Sequence, residues 1–471
     1  MLFPLGKSFR NAPLLVMVGG VFLFFSLSLF GDVVPQKPSQ VILTKESIVK
    51  LFQEKTGLVA AAHQKVLMAE ADYKKVLAVY FPEVNATVGV GPYPKKVYHP
   101  AEVYDDVQPD GTFRMNPAHW ETYESNFSEY GFALRARVSF VLPVYTFGKF
   151  ISGRDATKSL VSMKKSEEVV TKLKVREYAL TLYYSWLMAQ DIKKMIDGAV
   201  SEVAKAESQL KDALYEEKEG VTQKDLIRLR IEKEKLLIKQ NKINFDIKTL
   251  TQVFDDIVGQ PWKIDKEYLA KESFDKTEEQ LLEYLSTSSP YINIAKQGIT
   301  ARYNLYRLEL YKLLPDLGIV GYYSLKYTSS VDDERYPSPN SPYNSHDGEF
   351  GIGLRFHLNF ISQYQSMKRA KAEWEATKLQ VAFMKQKTKL DVQRNINQLA
   401  ELNTALRHVK KAHKYAKGWM TMEISNHSSS GDFSKDLIDA FKAFMEQEYR
   451  LIKTTFDYNM KIEQIKTMVG E

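Results

Sequence analysis

Residues 220–226 read Gly-Val-Thr-Gln-Lys-Asp-Leu, and residues 431–437 read Gly-Asp-Phe-Ser-Lys-Asp-Leu. Each stretch follows a long run with helical spacing and opens another. Gly220 and Gly431 supply the left-handed residue that ends a helix. Thr222 and Ser434 can cap the next helix, and Asp225 and Asp436 fall in its first turn, where the dipole favours acid. An ordinary helical hairpin accounts for the glycine and the cap. It does not account for Lys-Asp-Leu recurring after both glycines, and a recurring segment sends the reading outward in search of an internal repeat.

The flanking runs repeat every seven residues. Leu229, Leu236, Ile243, Leu250 and Ile257 form one series, and Leu437, Phe444, Leu451, Tyr458 and Ile465 another. Leu173, Leu180 and Leu187, then Ile196, Val203 and Leu210, carry the same spacing upstream. A strict seven places these residues on one seam that closes against a partner helix by supercoiling. The run from Phe147 to Glu219 spans roughly 110 Å at about 1.5 Å per residue, more than a globular domain needs.

Further out, the pattern changes from seven to two. In 350–360, Phe350, Ile352, Leu354, Phe356, Leu358 and Phe360 alternate with polar residues or glycine. In 132–144, Phe132, Leu134, Ala136, Val138, Phe140, Leu142 and Val144 alternate with a face carrying Arg135, Arg137 and Ser139. Val84 to Val90 and Leu317 to Leu325 alternate likewise. Period two gives one oily and one wet face. The lengths approach the roughly 9–11 residues of a tilted membrane strand, and aromatic residues gather at the ends. A half-buried sheet in a soluble domain gives the same alternation. Before each first strand comes a helical stretch stopped by proline, Thr44 to Tyr80 before Phe81-Pro82 and Glu278 to Leu314 before Pro315. The segment from Gly91 to Ser128 reads as a long external loop.

The chain therefore reads as two copies of one unit: helix, strand, loop, strand, long helix, break, helix. Residues 32–258 form the first copy, 259–277 a linker and 278–471 the second. Ahead of them, residues 1–31 have the layout of a secretory signal: Lys7 and Arg10, an apolar run from Leu14 to Phe30, then Gly31-Asp32. An uncleaved single-span anchor is the alternative. No later stretch is apolar enough for a membrane helix, so a spanning mature chain must use strands.

Composition excludes several chemistries. The 471 residues hold no cysteine, which removes disulfides, thiolate metal sites and cysteine nucleophiles. A formal charge of +7 is too mild for a nucleic-acid signature. His408 and His413 lack the one-turn spacing of a helical metal pair. Residues 89–96, Gly-Val-Gly-Pro-Tyr-Pro-Lys-Lys, are not a phosphate-binding loop. The sequence thus offers no catalytic constellation, no cofactor site and no metal site.

The tandem order, the strand pairs and the duplicated GVTQKDL and GDFSKDL segments resemble the outer-membrane efflux protein family, whose best-known member is TolC. The resemblance runs from Thr44 to the C-terminus. It implies a mixed α+β membrane protein: long antiparallel coiled coils forming a periplasmic α-barrel, with four strands per protomer in a trimeric twelve-stranded transmembrane β-barrel. It implies an outer-membrane exit duct of a tripartite efflux pump or type I secretion system. The duct is passive and not an enzyme. Its partners are two further copies, a periplasmic adaptor, an inner-membrane pump or ABC transporter, and outer-membrane lipid. Carried over residue by residue, Asp436 and Asp439 ring the periplasmic entrance, and Asp225 matches a position that helps hold it closed. Gly220, Thr222, Lys224, Leu226, Gly431, Ser434, Lys435 and Leu437 form the hairpin tips where an adaptor docks. The family's tyrosine and arginine partners of Asp225 are Ser428 and Phe433 here, so the lock differs or uses Lys224 and Lys435. A large closed barrel leaves an aqueous interior, which makes Arg135, Arg137, Arg355 and His357 candidate lumen residues. A second reading stays open at this stage: an N-terminally anchored coiled-coil scaffold with its strands in a soluble sheet.

Overall fold

The computed structural model describes residues 41–99, 122–217, 222–330, 344–356, 358–430 and 435–471. The signal-like segment lies outside them. Thr44 caps α1 (Lys45–Lys55) with a reciprocal hydrogen-bonded box to Ser47, and α2 (Gly57–Leu77) follows after a break at Thr56. The second copy matches with α5 (Glu278–Thr287) and α6 (Pro290–Tyr311), broken at Ser288-Ser289. Each stretch read as one helix is thus two. Thr56 is extended ahead of Gly57, and Pro290 has no N–H to continue α5 and sits well at the first position of α6.

The strands β2 (Glu83–His99), β3 (Thr122–Tyr145), β5 (Asp316–Thr328) and β6 (Ser345–Arg355) form one antiparallel sheet in the order β2-β3-β5-β6. The register puts the alternating apolar residues on one face. Val138 lies opposite Ala86 and Tyr323, and Leu317 opposite Leu354. That face is bare: Phe350 is 86% and Ile352 78% exposed on one edge strand, and Val84, Val88 and Val90 are exposed on the other. Gly321 is required there, because a Cβ would stand 2.5 Å from the Phe140 ring.

Two sequence expectations change here. Gly91 to His99 and Thr122 to Ser128 are strand, not loop, and β2 and β3 continue as a ribbon beyond the reach of β5. Pro92 and Pro94 suggest a loop, but β2 is an edge strand, where a missing N–H is tolerated, and the ladder absorbs them with a bulge after Pro94. Conversely, β6 stops at Arg355 rather than running to Phe360. Its partner β5 begins after Pro315, so no ladder remains for Phe356 onward, and α7 (Phe360–Ser430) starts instead.

Below the sheet run α3 (Lys149–Tyr215), α4 (Gln223–Val258), α7 and α8 (Lys435–Val469). Gly148, at φ 91°, turns the chain from β3 into α3. Near the sheet the helices pack in the order α2-α3-α6-α7, and further down as α4-α3-α8-α7. Half-length helices therefore complete a second layer against the two long ones, as the sequence suggests. The heptads face these contacts: Leu180, Leu187, Ile196, Val203, Leu210, Leu229, Leu236, Ile243, Tyr458 and Ile465 are all buried.

At mid-length a waist wraps the helices. Strand β1 (Val41–Leu43) pairs in parallel with β4 (Trp262–Ile264), and Leu43, Phe52, Tyr183, Tyr184 and Phe254 form a core beneath them. Among the described residues no helix is long and apolar enough to cross a membrane.

Candidate channel wall and periplasmic tip

The face of the sheet opposite the apolar one carries the polar side chains. The register puts Arg135 beside Lys326, Arg137 beside Thr87 and Ser324, and Arg355 opposite Asp316, all on this face. Arg137 lies over the Tyr322 ring at 4.3 Å, and Tyr322 donates to Asp347 at 2.9 Å. Arg135 lies over Tyr93 at 5.8 Å. The three arginines proposed from alternation thus share one surface, among carboxylates and phenols, with no apolar core behind them. His357 lies outside the described residues. Lys149 ties the sheet to the helices, donating to the Leu314 carbonyl and to Asp316, each at 2.8 Å.

Polar contacts strap the waist. The Leu269 N–H donates to Asp191 at 2.8 Å, and the Glu272 N–H to Asn459 at 2.9 Å, while Asn459 donates to the Ala270 carbonyl. Tyr183 donates to Asp265. Burial holds the Asp191 carboxyl above its ordinary value, although the Leu269 N–H and the nearby Lys194 favour the charged form. Glu463 is 1% exposed and meets Arg176 at 2.8 Å, Lys466 at 3.1 Å and Lys45 at 3.6 Å. The linker 259–277 is therefore a belt fixed to α3 and α8, a role the sequence does not announce.

The far end is built differently. The motif leucines Leu226 and Leu437 pack into one cluster with Leu210, Leu229 and Ile438. That shared packing gives a physical reason for the recurrence of the leucine. Thr222 caps α4, accepting from the Asp225 N–H, and the Asp225 carboxylate bonds the Thr222 hydroxyl and meets Arg228 at 3.3 Å. Asp225 is thus engaged within its own first turn. Lys224 is exposed beside it. Asp436 is exposed and Asp439 half-buried, at the start of α8 with Lys435. Ser428 falls in the last turn of α7. Gly220, Gly431, Phe433 and Ser434 lie outside the described residues.

Sequence reasoning misses Glu207. It is buried on α3, where Lys233 at 2.7 Å, Lys211 at 2.9 Å and Arg230 at 3.0 Å surround it. Those cations lower its carboxyl to about 2. Only its heptad-flanking position, between Val203 and Leu210, could have flagged it. Among the described residues no cluster of His, Asp or Glu could hold a metal ion.

No protein-family model and no curated protein sequence matches the chain. Solved structures do. The CmeC outer-membrane channel of Campylobacter jejuni superposes with a TM-score of 0.68 at 12% identity, covering 93% of this chain and 90% of that one. The outer-membrane protein VceC of Vibrio cholerae gives 0.68 at 12% identity, covering 90% and 96%. The MtrE outer-membrane channel of Neisseria gonorrhoeae, solved in its open state, gives 0.68 at 11% identity, covering 90% and 88%. The chain has the fold of these outer-membrane channels over nearly its whole described length.

Proposed function

We propose that the protein is the outer-membrane duct of an export machine, a passive conduit from periplasm to exterior. The observation that carries this reading is the sheet: four strands with a bare apolar face, a polar opposite face and two unpaired edges. In lipid an open edge leaves backbone N–H and C=O groups without partners. The edges must close on other copies, and the family resemblance supplies the number: three chains, twelve strands. The polar face, with Arg135, Arg137 and Arg355, then lines the water-filled interior. The helices extend into the periplasm and end at a constriction ringed by Asp436 and Asp439. A periplasmic adaptor docks on the hairpin tips, and an inner-membrane pump or ABC transporter supplies the energy, in a tripartite efflux or type I secretion system. A soluble sheet in an anchored scaffold accounts poorly for an apolar face that no element among the described residues covers.

Membrane fractionation with electrophoresis tests the proposal. The expected result is a trimer in the outer membrane. Recovery as a monomer from the inner membrane, with the N-terminal peptide intact, would overturn it.

A further inference from the structure

The helical layer has two edges, as the sheet does. On α4, Leu229, Leu236 and Ile243 face α3 and are buried. Two residues further along each turn, about 200° around the helix at roughly 100° per residue, stand Ile231, Ile238 and Phe245. They are exposed, Ile238 by 69%. On α7, Leu406 and Ala416 are buried toward α8, with His413 against Phe444. Again two residues on from 406, 413 and 420 stand His408, Tyr415 and Met422, also exposed, Tyr415 by 72%. Their exposure leaves both outer seams uncovered among the described residues. One chain thus carries two bare seams of three side chains, seven residues apart, on opposite edges of one layer.

Their levels can be compared through contacts inside the chain. Lys442 meets Glu232 at 3.1 Å, and His413 lies 5.4 Å from Phe444 between ring centres. Stepping residue for residue from those contacts puts Ile231 level with Ala416. A second route runs through Gln240 to Asp197, Arg176 to Glu463 and Lys461 to Gln398. It puts Ile231 level with Asn426. Met422 lies inside that bracket and Tyr415 just outside it. The helices also run in opposite directions, so Ile231 opposite Met422 sets Ile238 opposite Tyr415 and Phe245 opposite His408. A shift of seven would set Phe245 against Glu401 and bury a carboxylate on an apolar seam, which is costly.

We propose that α4 of one copy packs on α7 of the next in this one register, with Ile231 on Met422, Ile238 on Tyr415 and Phe245 on His408. The occupant of each bare seam is a second copy of this chain, because the complementary seam is on the same chain and the sheet edges require the same neighbour. A head-to-tail contact of this kind closes into a ring when its rotation closes, as the closed strand barrel requires here. The inference rests on the proposed trimer and adds which side chains the copies share below the waist.

The absence of cysteine makes the test clean. Ile238→Cys with Tyr415→Cys, oxidised in the membrane, is expected to give a covalent ladder up to three chains. Ile231→Cys with Met422→Cys serves as an independent pair should the first fail to fold. The shifted pair, Ile238→Cys with His408→Cys, and each single variant are expected to stay uncrosslinked. Crosslinking of the shifted pair, or no crosslinking of either matched pair in particles that still migrate as trimers, would overturn the register. Particles that migrate only as monomers would overturn the trimer beneath it.

Discussion

The waist and the tip are held by different forces. At the waist, Tyr183, Tyr184, Phe52 and Phe254 are fully buried, and the belt meets the helices through paired backbone and side-chain hydrogen bonds. At the tip the buried cluster is small and aliphatic, and among the described residues ion pairs around Glu207 and the Thr222 cap support it. Dense aromatic packing resists rearrangement, whereas the tip buries less aromatic surface and leans on the partly exposed lysines and arginine that meet Glu207. In the proposed duct this difference predicts a waist that keeps its shape and a tip that rearranges more readily.

The largest expected effect tests the waist. Phe254→Ala empties a site packed against Trp186 and Trp262, and a buried Phe→Ala change costs about 3–5 kcal/mol. Thermal unfolding in detergent, followed by circular dichroism, should show the loss. An unchanged midpoint would contradict a structural waist. Next is the belt. Asp191→Ala leaves the Leu269 N–H without its acceptor, at a cost of about 1–3 kcal/mol. Asp191→Asn keeps an acceptor and removes a charge that burial disfavours. Because the folded carboxyl titrates above its ordinary value, the charge costs stability once pH rises through that value, and the cost vanishes below the ordinary value. The Asn variant should therefore match or exceed the natural chain at neutral pH and lose that advantage in acid.

At the tip the sign reverses. Glu207 titrates at about 2, below the ordinary 4.5. Its contribution is complete above the ordinary value and fades as pH falls toward 2. Hydrogen exchange in the lower turns of α4 should accelerate across that window. Glu207→Gln should flatten the dependence and leave the waist unaffected. The smallest effect is Thr222→Ala, which removes the cap of α4 at about 1 kcal/mol. Limited proteolysis near residues 216–222 is the readout.

Much of this architecture is legible in the chain, for reasons particular residues make plain. Period two from Phe132 to Val144 and period seven from Leu229 to Ile257 survive because one face of each element meets one environment. The proline stops at Pro82 and Pro315 survive because a missing N–H acts locally. What stays hidden depends on distant partners. Val41 to Leu43 is too short to read as a strand until Trp262 to Ile264 lies beside it. Asp191 and Asn459 look like ordinary helix polar residues until the belt reaches them. The ribbon beyond Gly91 hides behind its prolines, whose tolerance follows from an edge position that only the sheet order reveals. At the tip, the glycine break and the Thr222 cap signal place Asp225 in a first turn, but its engagement with Thr222 and Arg228 is a matter of rotamers.

The contrast between a fixed waist and a movable tip meets its most direct test in planar-bilayer conductance of the purified protein beside its Asp436→Ala, Asp439→Ala variant. A duct narrowed at the tip by rings of carboxylate should be cation-selective and blocked by multivalent cations. The double variant should conduct more and resist that block. Equal conductance with equal block would remove these aspartates from the constriction and place the narrowest point elsewhere along the wall.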